Sequence, residues 1–320
     1  MMSPSSSSLG TDVVNESSVV NTTTTRLTDV NATENYITIN LIGRLGNRMF
    51  QYASFMGLAR RTRRTPVLIC ERLLAPKYPR IAAECLPQAM AKPFGELPKR
   101  NKLTIHEVQN VTSVTDKVVK AKQKHIRISG YFQSFRYFQN IFGIIGQRFQ
   151  FGTKVMGLAE KFMLSMTMQY KRNANVTGDV TPIAVHVRRG DYLSKRAIAS
   201  GRQVATTDYL YATMNYFRKR YTNCLFLVAS NDAKWCREHL LARDVMLIAD
   251  HMFNSTAKFA DDVERDVSVL RLVEHSILST GTFSWWIGWF TPGEVVYYKK
   301  PRARRKSLIP ANLSHWRGML

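Results

Sequence analysis

The chain has 320 residues and carries 46 Lys and Arg against 23 Asp and Glu, which gives a formal net charge of +23 and a pI near 10.1. This length can bury a large core and indicates about two domains, and the charge favours anionic partners: nucleic acid, an acidic membrane surface or a phosphorylated small substrate. The sequence has no zinc-finger spacing, RNA-recognition signature or run of 18 apolar residues, which argues against a nucleic-acid-binding module and a membrane-spanning helix.

Residues 1–35 are dominated by Ser, Thr, Asn and Val without a period, so we expect a disordered stem. Nothing near the start resembles a signal peptide or a membrane anchor. Sequons for N-glycosylation favour a secretory lumen, whereas the cysteines have neither zinc nor redox spacing and leave the compartment open. The sequons lie at Asn15, Asn21, Asn31, Asn110, Asn175, Asn254 and Asn312, and the cysteines at Cys70, Cys85, Cys224 and Cys236.

The first predicted strand, residues 36–42, alternates in polarity and runs into a glycine turn, Gly43-Arg44-Leu45-Gly46-Asn47. Apolar residues then recur at helical spacing as far as Ala59, with Asn47 as the expected N-cap. The amino end of this helix could hold an anion, although many such turns serve only packing. A strand over residues 65–70 completes a β-α-β unit.

Residues 75–124 are rich in Pro and Lys and give no clear pattern, and a further strand is predicted over residues 126–130. The aromatic residues that follow could line a sugar-binding surface, but an aromatic core beneath a loop is the commoner arrangement. These residues are Tyr131, Phe132, Phe135, Tyr137 and Phe138. A helix over residues 152–170 and a polar linker over residues 173–182 end this half of the chain.

Beyond the linker, apolar strands alternate with helical segments, which is the pattern of a doubly wound parallel sheet. We therefore predict an α/β protein with one domain at residues 36–178, a second at residues 179–300 and a basic tail at residues 301–320. The expected strands cover residues 183–187, 224–229, 245–249, 276–279 and 295–298, and the expected helices lie near residues 207–221, 233–241 and 261–273.

Polar segments follow three of these predicted strands, at residues 186–191, 230–232 and 279–286. A parallel sheet brings such segments to one edge, where open α/β sheets bind ligands. Arg188 and Arg189 in the first segment could grip a phosphate through forked hydrogen bonds, whereas a surface ion pair between Arg189 and Asp191 is the alternative. The third segment is rich in hydroxyls and opens a helix, so its backbone N–H groups could face the same anion.

Several common catalytic motifs do not occur in the sequence: the phosphate-binding P-loop, the Gly-x-Ser-x-Gly elbow, His-Glu-x-x-His and Gly-x-Gly-x-x-Gly. The sequence also lacks the Asp-x-Asp pair with which many sugar-transfer enzymes hold a divalent metal on a nucleotide pyrophosphate. If the chain binds a nucleotide sugar, arginine must therefore neutralise the diphosphate. Arg188 and Arg189 are placed to do so.

The motifs at residues 43–53, 186–192, 229–232 and 279–286 resemble, in this order, those of the α-1,2-fucosyltransferases of glycosyltransferase family 11. The resemblance implies a GT-B-like fold of two Rossmann-like domains, with the acceptor side in the first predicted domain and the nucleotide sugar in the second. It also implies transfer of L-fucose from GDP-fucose to the 2-hydroxyl of a terminal β-galactoside, with inversion at the anomeric carbon and with no metal or other cofactor.

By the same resemblance, Arg188 holds the β-phosphate of GDP, Arg189 and Asp191 support it, and His186 approaches the guanine or the ribose. The implied donor-binding set is His186, Arg188, Gly46, Asn47, Asn231, Thr280, Gly281, Thr282 and Phe283, of which the last four line the diphosphate. Arg48 departs from the Gln that many relatives carry at this position.

A base could assist the acceptor hydroxyl, and Asp232, Asp266 and Glu274 are candidates because they are expected near the same sheet edge. Each could instead be a helix cap or an ion-pair member. Two other functions stay open: a fucosyltransferase of another linkage or acceptor, and a non-catalytic protein that binds nucleotides or polyanions. The resemblance implies a location in the Golgi lumen or membrane, although no anchor is visible, and no nucleic-acid partner is expected.

Overall fold

The structure is a computed structural model that describes residues 35–69, 77–85, 102–107, 111–299 and 313–320. All of them lie within the unit Thr33–Leu320, in which helices flank two parallel β-sheets. The predicted stem lies outside the described residues, apart from Asn35.

The first sheet has four parallel strands in the order β2-β1-β4-β3 among the residues described. The strands are β1 Tyr36–Ile39, β2 Thr65–Leu68, β3 Lys102–His106 and β4 His125–Ser129, and the helices are α1 Leu45–Thr62, α2 Pro79–Glu84 and α3 Val111–Lys120. All four side chains of β1 are buried, as expected of a central parallel strand covered on both faces.

The connection between the sheets is largely helical. It consists of two short 3-10 turns, Phe135–Tyr137 and Gln139–Ile141, helix α4 Phe142–Arg148 and the long helix α5 Thr153–Ala174. Helix α5 ends at Asn175, whose backbone adopts the left-handed conformation (φ +50°) that Asn tolerates. The domain boundary predicted at residues 178/179 falls just after this helix, and the division into two domains stays a prediction.

The second sheet has six parallel strands in the order β10-β9-β8-β5-β6-β7. The strands are β5 Thr181–Val187, β6 Cys224–Ser230, β7 Val245–Leu247, β8 His275–Leu278, β9 Val295–Tyr298 and β10 Arg317–Met319. The helices are α6 Lys195–Ala199, α7 Thr207–Arg218, α8 Ala233–His239, α9 Asp262–Leu270 and α10 Thr282–Phe290. The predicted doubly wound sheet is confirmed, and its winding reverses between β5 and β8, the point at which such sheets bind ligands.

Several elements escaped the sequence analysis, among them the short helices α2, α4 and α6. Strand β3 and helix α3 lie in the segment that gave no clear pattern, and β10 lies in the predicted basic tail. Part of that tail therefore belongs to the sheet, and Val295–Tyr298 is not the last strand. The residues Arg317-Gly318-Met319 carry no alternation, so only their pairing with β9 defines them as a strand.

An aromatic cluster joins the two sheets. Phe50 of α1 lies 5.0 Å from the Trp286 ring of α10, and Phe138 stacks on the same indole at 5.8 Å. Phe132 and Tyr137 are also buried, whereas the neighbouring Tyr131 is 44% exposed. Most of the predicted aromatic segment is therefore core, and Tyr131 is the member that remains available at the surface.

Helix α1 packs on the turn at Tyr137 without room for a side chain at Gly57. A methyl group there would overlap the carbonyl oxygen of Tyr137. We expect Gly57→Ala to lower the free energy of unfolding by about 1–3 kcal/mol in urea denaturation, because backbone atoms must separate. The control is Gly157→Ala in α5, where a methyl group meets nothing within 4 Å. It should be neutral or stabilise the protein by up to about 1 kcal/mol, and equal effects of both substitutions would contradict the packing argument.

Candidate active site

The carboxyl ends of the two sheets meet at the first turns of α1 and α10. At Gly46, a Cβ atom would lie 2.7 Å from the backbone nitrogen of Phe283 and 2.9 Å from Oγ1 of Thr282. The indole Nε1 of Trp286 donates a hydrogen bond to the carbonyl oxygen of Gly46 (3.1 Å). Glycine is therefore required at residue 46 because the two helices touch there through their backbones.

Asn47 joins the sheets through its side chain. Its Oδ1 accepts hydrogen bonds from Oγ1 of Thr282 (2.8 Å) and Nε2 of Gln133 (2.9 Å). The prediction that Asn47 is the N-cap of α1 is wrong: the helix begins at Leu45, and the N-cap Arg44 makes no side-chain cap. The side-chain oxygen of Asn47 is instead bonded by Thr282 of α10 and by Gln133 in the loop after β4.

Two further residues of the glycine-turn motif hold the turn itself. The amide of Gln51 bonds both backbone groups of Ile42, accepting from its N–H (2.8 Å) and donating to its carbonyl (3.2 Å). Nε of Arg48 donates to the carbonyl oxygen of Gly43 (2.8 Å). The sequence analysis did not single out Gln51 or Gln133, and a polar residue on the buried face of a predicted helix was the available signal for Gln51.

Arg188 follows β5 and lies at the centre of a small charged group. Its backbone N–H donates to Oγ of Ser279 after β8 (2.8 Å), and its Nη2 lies 2.6 Å from Oδ1 of Asp191. Nη1 of Arg44, the N-cap of α1 after the first strand, lies 3.8 Å from the same carboxylate oxygen. We call the space beside Arg188, between the carboxyl ends of the two sheets, the crevice. The Arg188 side chain is 18% exposed, so its guanidinium is held in place yet reaches the surface there.

Arg189 has different surroundings from its neighbour. Its guanidinium lies over the Trp235 ring at 3.9 Å, and its Nε lies 3.5 Å from Oδ2 of Asp232. Its backbone N–H donates to Oδ1 of Asn231 (2.9 Å). Asp191 thus pairs with Arg188, and the alternative pair between Arg189 and Asp191 is not the one that forms.

The backbone at Gly190 completes this loop. Its φ of +30° is unfavourable for other residues, and a Cβ atom there would overlap the side-chain amide of Asn231. Asn231, which follows β6, therefore supports the arginine loop. Its Oδ1 accepts from the backbone N–H of Arg189, and its Nδ2 lies 3.5 Å from Oδ1 of Asp191.

His186 lies beneath the arginine loop and is 5% exposed. Its Nδ1 hydrogen-bonds Oγ of Ser284 (2.5 Å) and lies 3.3 Å from Oγ of Ser279. Burial, and secondarily the charge of Arg188, lower the pKa of His186 from 6.5 to about 3. The imidazole is therefore neutral at physiological pH and ties the ends of β5 and β8 together.

The loop after β8 presents the amino end of α10 to the same crevice. Oγ1 of Thr280 donates to the carbonyl oxygen of Gln203 (3.1 Å), and Gly281 caps the helix with a φ of +100°. This cap supplies no side-chain hydrogen bond, and Thr282 and Phe283 are partly exposed. The first N–H groups of α10 and its helix dipole therefore favour an anion at this position.

The three candidate bases have structural roles or lie elsewhere. Asp232 caps α8 by accepting from the Trp235 N–H (3.2 Å), and Arg265 holds Asp266 at 2.8 Å, where burial raises the pKa of Asp266 to about 6. Glu274 directly precedes β8, so it lies at the amino edge of the sheet, and its expected position near the crevice is wrong.

No group of three or more His, Cys, Asp or Glu side chains is arranged to hold a metal ion within the residues that the structure describes. Within the same part of the chain, no helix combines the length and the apolar character that a membrane span requires.

Comparison with known proteins identifies the family. The family model described as Glycosyl transferase family 11 matches residues 12–318. The match covers most of the chain, so the chain belongs to glycosyl transferase family 11, as the sequence motifs indicate, and is a glycosyltransferase.

Curated relatives agree with this assignment. The chain is 31% identical over 265 residues to galactoside alpha-(1,2)-fucosyltransferase 2 of Hylobates lar, an alignment that covers 81% of this chain and 70% of the relative. It is 27% identical over 292 residues to galactoside 2-alpha-L-fucosyltransferase SEC1 of Bos taurus, which covers 88% of this chain and 73% of the relative.

Solved structures support the fold. POFUT1 in complex with GDP-fucose superposes with a TM-score of 0.51 at 12% identity, covering 84% of this chain and 98% of that chain. NodZ alpha-1,6-fucosyltransferase co-crystallised with GDP gives a TM-score of 0.50 at 13% identity, with 84% and 97% covered. The GT-B-like α/β fold predicted from the sequence is confirmed.

Burial of a neutral His186 makes the protein sensitive to acid. Its folded pKa lies below its unfolded value of 6.5, so the unfolded chain binds the proton more tightly, and stability falls as the pH drops from 6.5 towards 3. Because of this residue, we expect the free energy of unfolding to fall by about 2 kcal/mol when the pH is lowered from 7 to 5. Urea denaturation at both pH values should show a smaller loss for His186→Asn than for the wild type.

Burial also lowers the pKa of His251 and His275, so the variant removes only part of the pH dependence. The control substitution, His106→Asn at an exposed position, should leave the pH dependence unchanged. An equal pH dependence in the wild type and in His186→Asn would show that the pKa of His186 does not differ between the folded and the unfolded chain, which would contradict the prediction.

Proposed function

We propose that the chain transfers L-fucose from GDP-fucose to the 2-hydroxyl of a terminal β-galactoside on a glycan, with inversion at the anomeric carbon and without a metal ion. The observation that carries this proposal lies in the crevice where β5 and β8 end. The Arg188 guanidinium lies 5.3 Å from the centre of the Tyr192 ring, whose hydroxyl would lie 3.3 Å from a Cβ atom at Gly281, the cap of α10. A cation and a helix amino end are therefore neighbours there, which supports an anion site. The curated relatives are named as galactoside α-1,2-fucosyltransferases, and POFUT1 is solved with GDP-fucose.

In the proposed donor complex, Arg188 holds the β-phosphate of GDP, and the backbone N–H groups of Thr282 and Phe283 receive the diphosphate. Gly281 and Thr280 shape the loop that presents these groups. The guanidinium of Arg188 is bound on one side to Asp191, so that carboxylate sets its orientation before the donor arrives. Such preorganisation avoids the cost of reorienting the charge during the reaction.

Other residues of the predicted set act as supports in this proposal. Arg189, stacked on Trp235, and Asn231 hold the loop that carries Arg188. Neutral His186 bonds Ser284 and lies 3.3 Å from Ser279, which in turn accepts from the backbone N–H of Arg188. Gly46 and Asn47 seat α1 against α10, which brings the acceptor side to the donor.

The chemistry needs one bond to break and one to form. The acceptor oxygen bonds to C1 of fucose on the face opposite the leaving group, the C1–O bond to the β-phosphate breaks with both electrons on oxygen, and the acceptor proton passes to solvent or a base. The charge on the departing β-phosphate is stabilised by Arg188 and by the N–H groups of α10, and one such donor is typically worth about 3–4 kcal/mol.

We further propose that the enzyme works in the Golgi lumen. Cys85 is disulfide-bonded, which supports an oxidising compartment, and the sequons agree with a secretory route.

The carboxyl edge of the first sheet forms the acceptor side of the crevice in this proposal.

The test is release of GDP from GDP-fucose with lactose as acceptor in the presence of EDTA, with linkage analysis of the product. Wild type should turn over and yield the α-1,2 product. Arg188→Lys keeps the charge but loses the fork, so kcat should fall roughly a hundred- to a thousand-fold without a change in Tm. A 1,3 or 1,4 linkage, or a requirement for a divalent metal, would contradict the proposal.

Arg189→Lys is the matched control for this prediction. It loses the stacking on Trp235, so it should lower Tm more than Arg188→Lys does and lower kcat less. If Arg189→Lys instead abolished turnover at an unchanged Tm, the two arginines would have exchanged roles.

Substitution at Gly46 tests whether the contact between α1 and α10 matters for catalysis. We expect Gly46→Ala to lower kcat/KM by roughly a hundred-fold, because a methyl group would push the first turn of α10 away from the donor. Gly146→Ala in α4 is the control, since a methyl group there meets only Trp289 at 3.6 Å. Equal activity of both variants would contradict the role of this contact.

A further inference from the structure

A groove of about 940 Å³ lies outside the crevice, between the edge strand β3 and helix α3. Its lining combines positive charge with hydrogen-bonding side chains: Lys117, Lys120, Lys122, Thr104 and Gln123. All three lysines are exposed, and Asp116 is the acidic residue among the described lining. The groove therefore carries a net positive charge, and its walls combine polar side chains with the apolar Leu103, Ile105 and Ala121.

Further cations surround one end of the groove. The buried guanidinium of Arg64 donates to the carbonyl oxygens of Ala121 (2.8 Å), Gln123 (2.8 Å) and Lys124 (3.0 Å). These bonds fix the end of α1 to the turn after α3. The same helix end also carries three exposed arginines: Arg60, Arg61 and Arg63.

Among the described residues, no ion pair joins Lys117, Lys120 or Lys122 to an acidic side chain. Clustered lysine charges attract an anionic partner and raise the rate at which it binds.

The other end of the groove opens at the proposed acceptor side. His106 lines the groove and ends β3, where it pairs with Ser129. The next residue, Glu107, accepts a hydrogen bond from the backbone N–H of exposed Tyr131 (2.7 Å). The loop from Tyr131 then reaches Gln133, which bonds Asn47 in the active site.

We propose that this groove binds acidic sugars of the acceptor glycan, bearing sulfate or carboxylate groups, while the terminal galactose occupies the crevice. The proposal rests on the proposed function, since the occupant is the acceptor of that reaction. A strand of five residues spans roughly 16 Å, enough for a short run of sugars leading away from the crevice. Hydroxyl and amide side chains suit sugar hydroxyls, and the lysines suit sulfates or carboxylates.

A protein partner is less favoured by these features. An acidic peptide would bind the same cations, but it would not need a groove that leads to the acceptor side of the active site. The groove is connected to Asn47 through His106 and the loop that begins at Tyr131. A glycan whose terminal galactose occupies the crevice would need such a connection.

The test compares two acceptors with the same terminal β-galactose, one neutral and one with a sulfate on an internal sugar. Wild type should have a KM about tenfold lower for the sulfated acceptor, since several exposed ion pairs contribute together. The triple substitution Lys117→Gln, Lys120→Gln and Lys122→Gln should raise the KM for the sulfated acceptor to that of the neutral one. The same three lysines replaced by Arg should keep the preference, and so should Lys161→Gln, which removes an exposed cation from α5.

Calorimetric titration of the sulfated oligosaccharide without GDP-fucose separates this inference from the proposed function. Binding should weaken with salt and be lost in the triple Gln variant. Turnover of both acceptors with equal KM would overturn the groove assignment and leave the fucosyl transfer standing. Binding that is lost in the triple variant, without turnover of either acceptor, would support the groove and contradict the proposed reaction. Binding of an acidic peptide but not of the sulfated glycan would also overturn the assignment.

Discussion

The contact between the first turns of α1 and α10 is the constraint on which the active site depends. Each helix follows a strand of a different sheet, so their contact makes the two carboxyl edges face each other. Gly46 allows the backbones to touch, and Asn47 and the Trp286 indole bond across the contact. The buried aromatic cluster around Trp286 supports it from below, and close-packed aromatic rings leave little freedom for the sheets to slide.

The arginine loop shows how two adjacent residues of one type acquire different environments. Arg188 is held by a carboxylate and remains at the crevice surface, whereas Arg189 is stacked on an indole and pairs with a helix cap. A proton on His186 would add a positive charge at a buried position that solvent hardly reaches, and burial keeps that imidazole neutral. The positive potential at the crevice therefore comes from arginine and the helix end and not from His186.

Much of the second sheet could be predicted from the sequence because its strands are apolar runs bounded by polar loops, and a parallel sheet places those loops at one edge. The predictions failed where local pattern and tertiary contact disagree. Asn47 has the chemistry of an N-cap, yet its amide bonds Thr282 and Gln133 instead. Glu274 precedes its strand and so lies at the opposite edge. Strand β3 alternates in polarity over only five residues inside a segment rich in Pro and Lys, and β10 is a three-residue edge strand without alternation.

By itself, the sequence determined the α/β class, the order of the strands along the chain and the motifs that show membership of glycosyl transferase family 11, because these depend on local composition and spacing. Only the tertiary structure decided which partners Arg188 and Arg189 take, which residues bridge the sheets and where the basic groove lies. Those properties depend on contacts between residues far apart in the chain, such as Gly46 with Phe283 and Arg64 with Lys124. No local pattern encodes such distances, because they arise only when the sheets pack together.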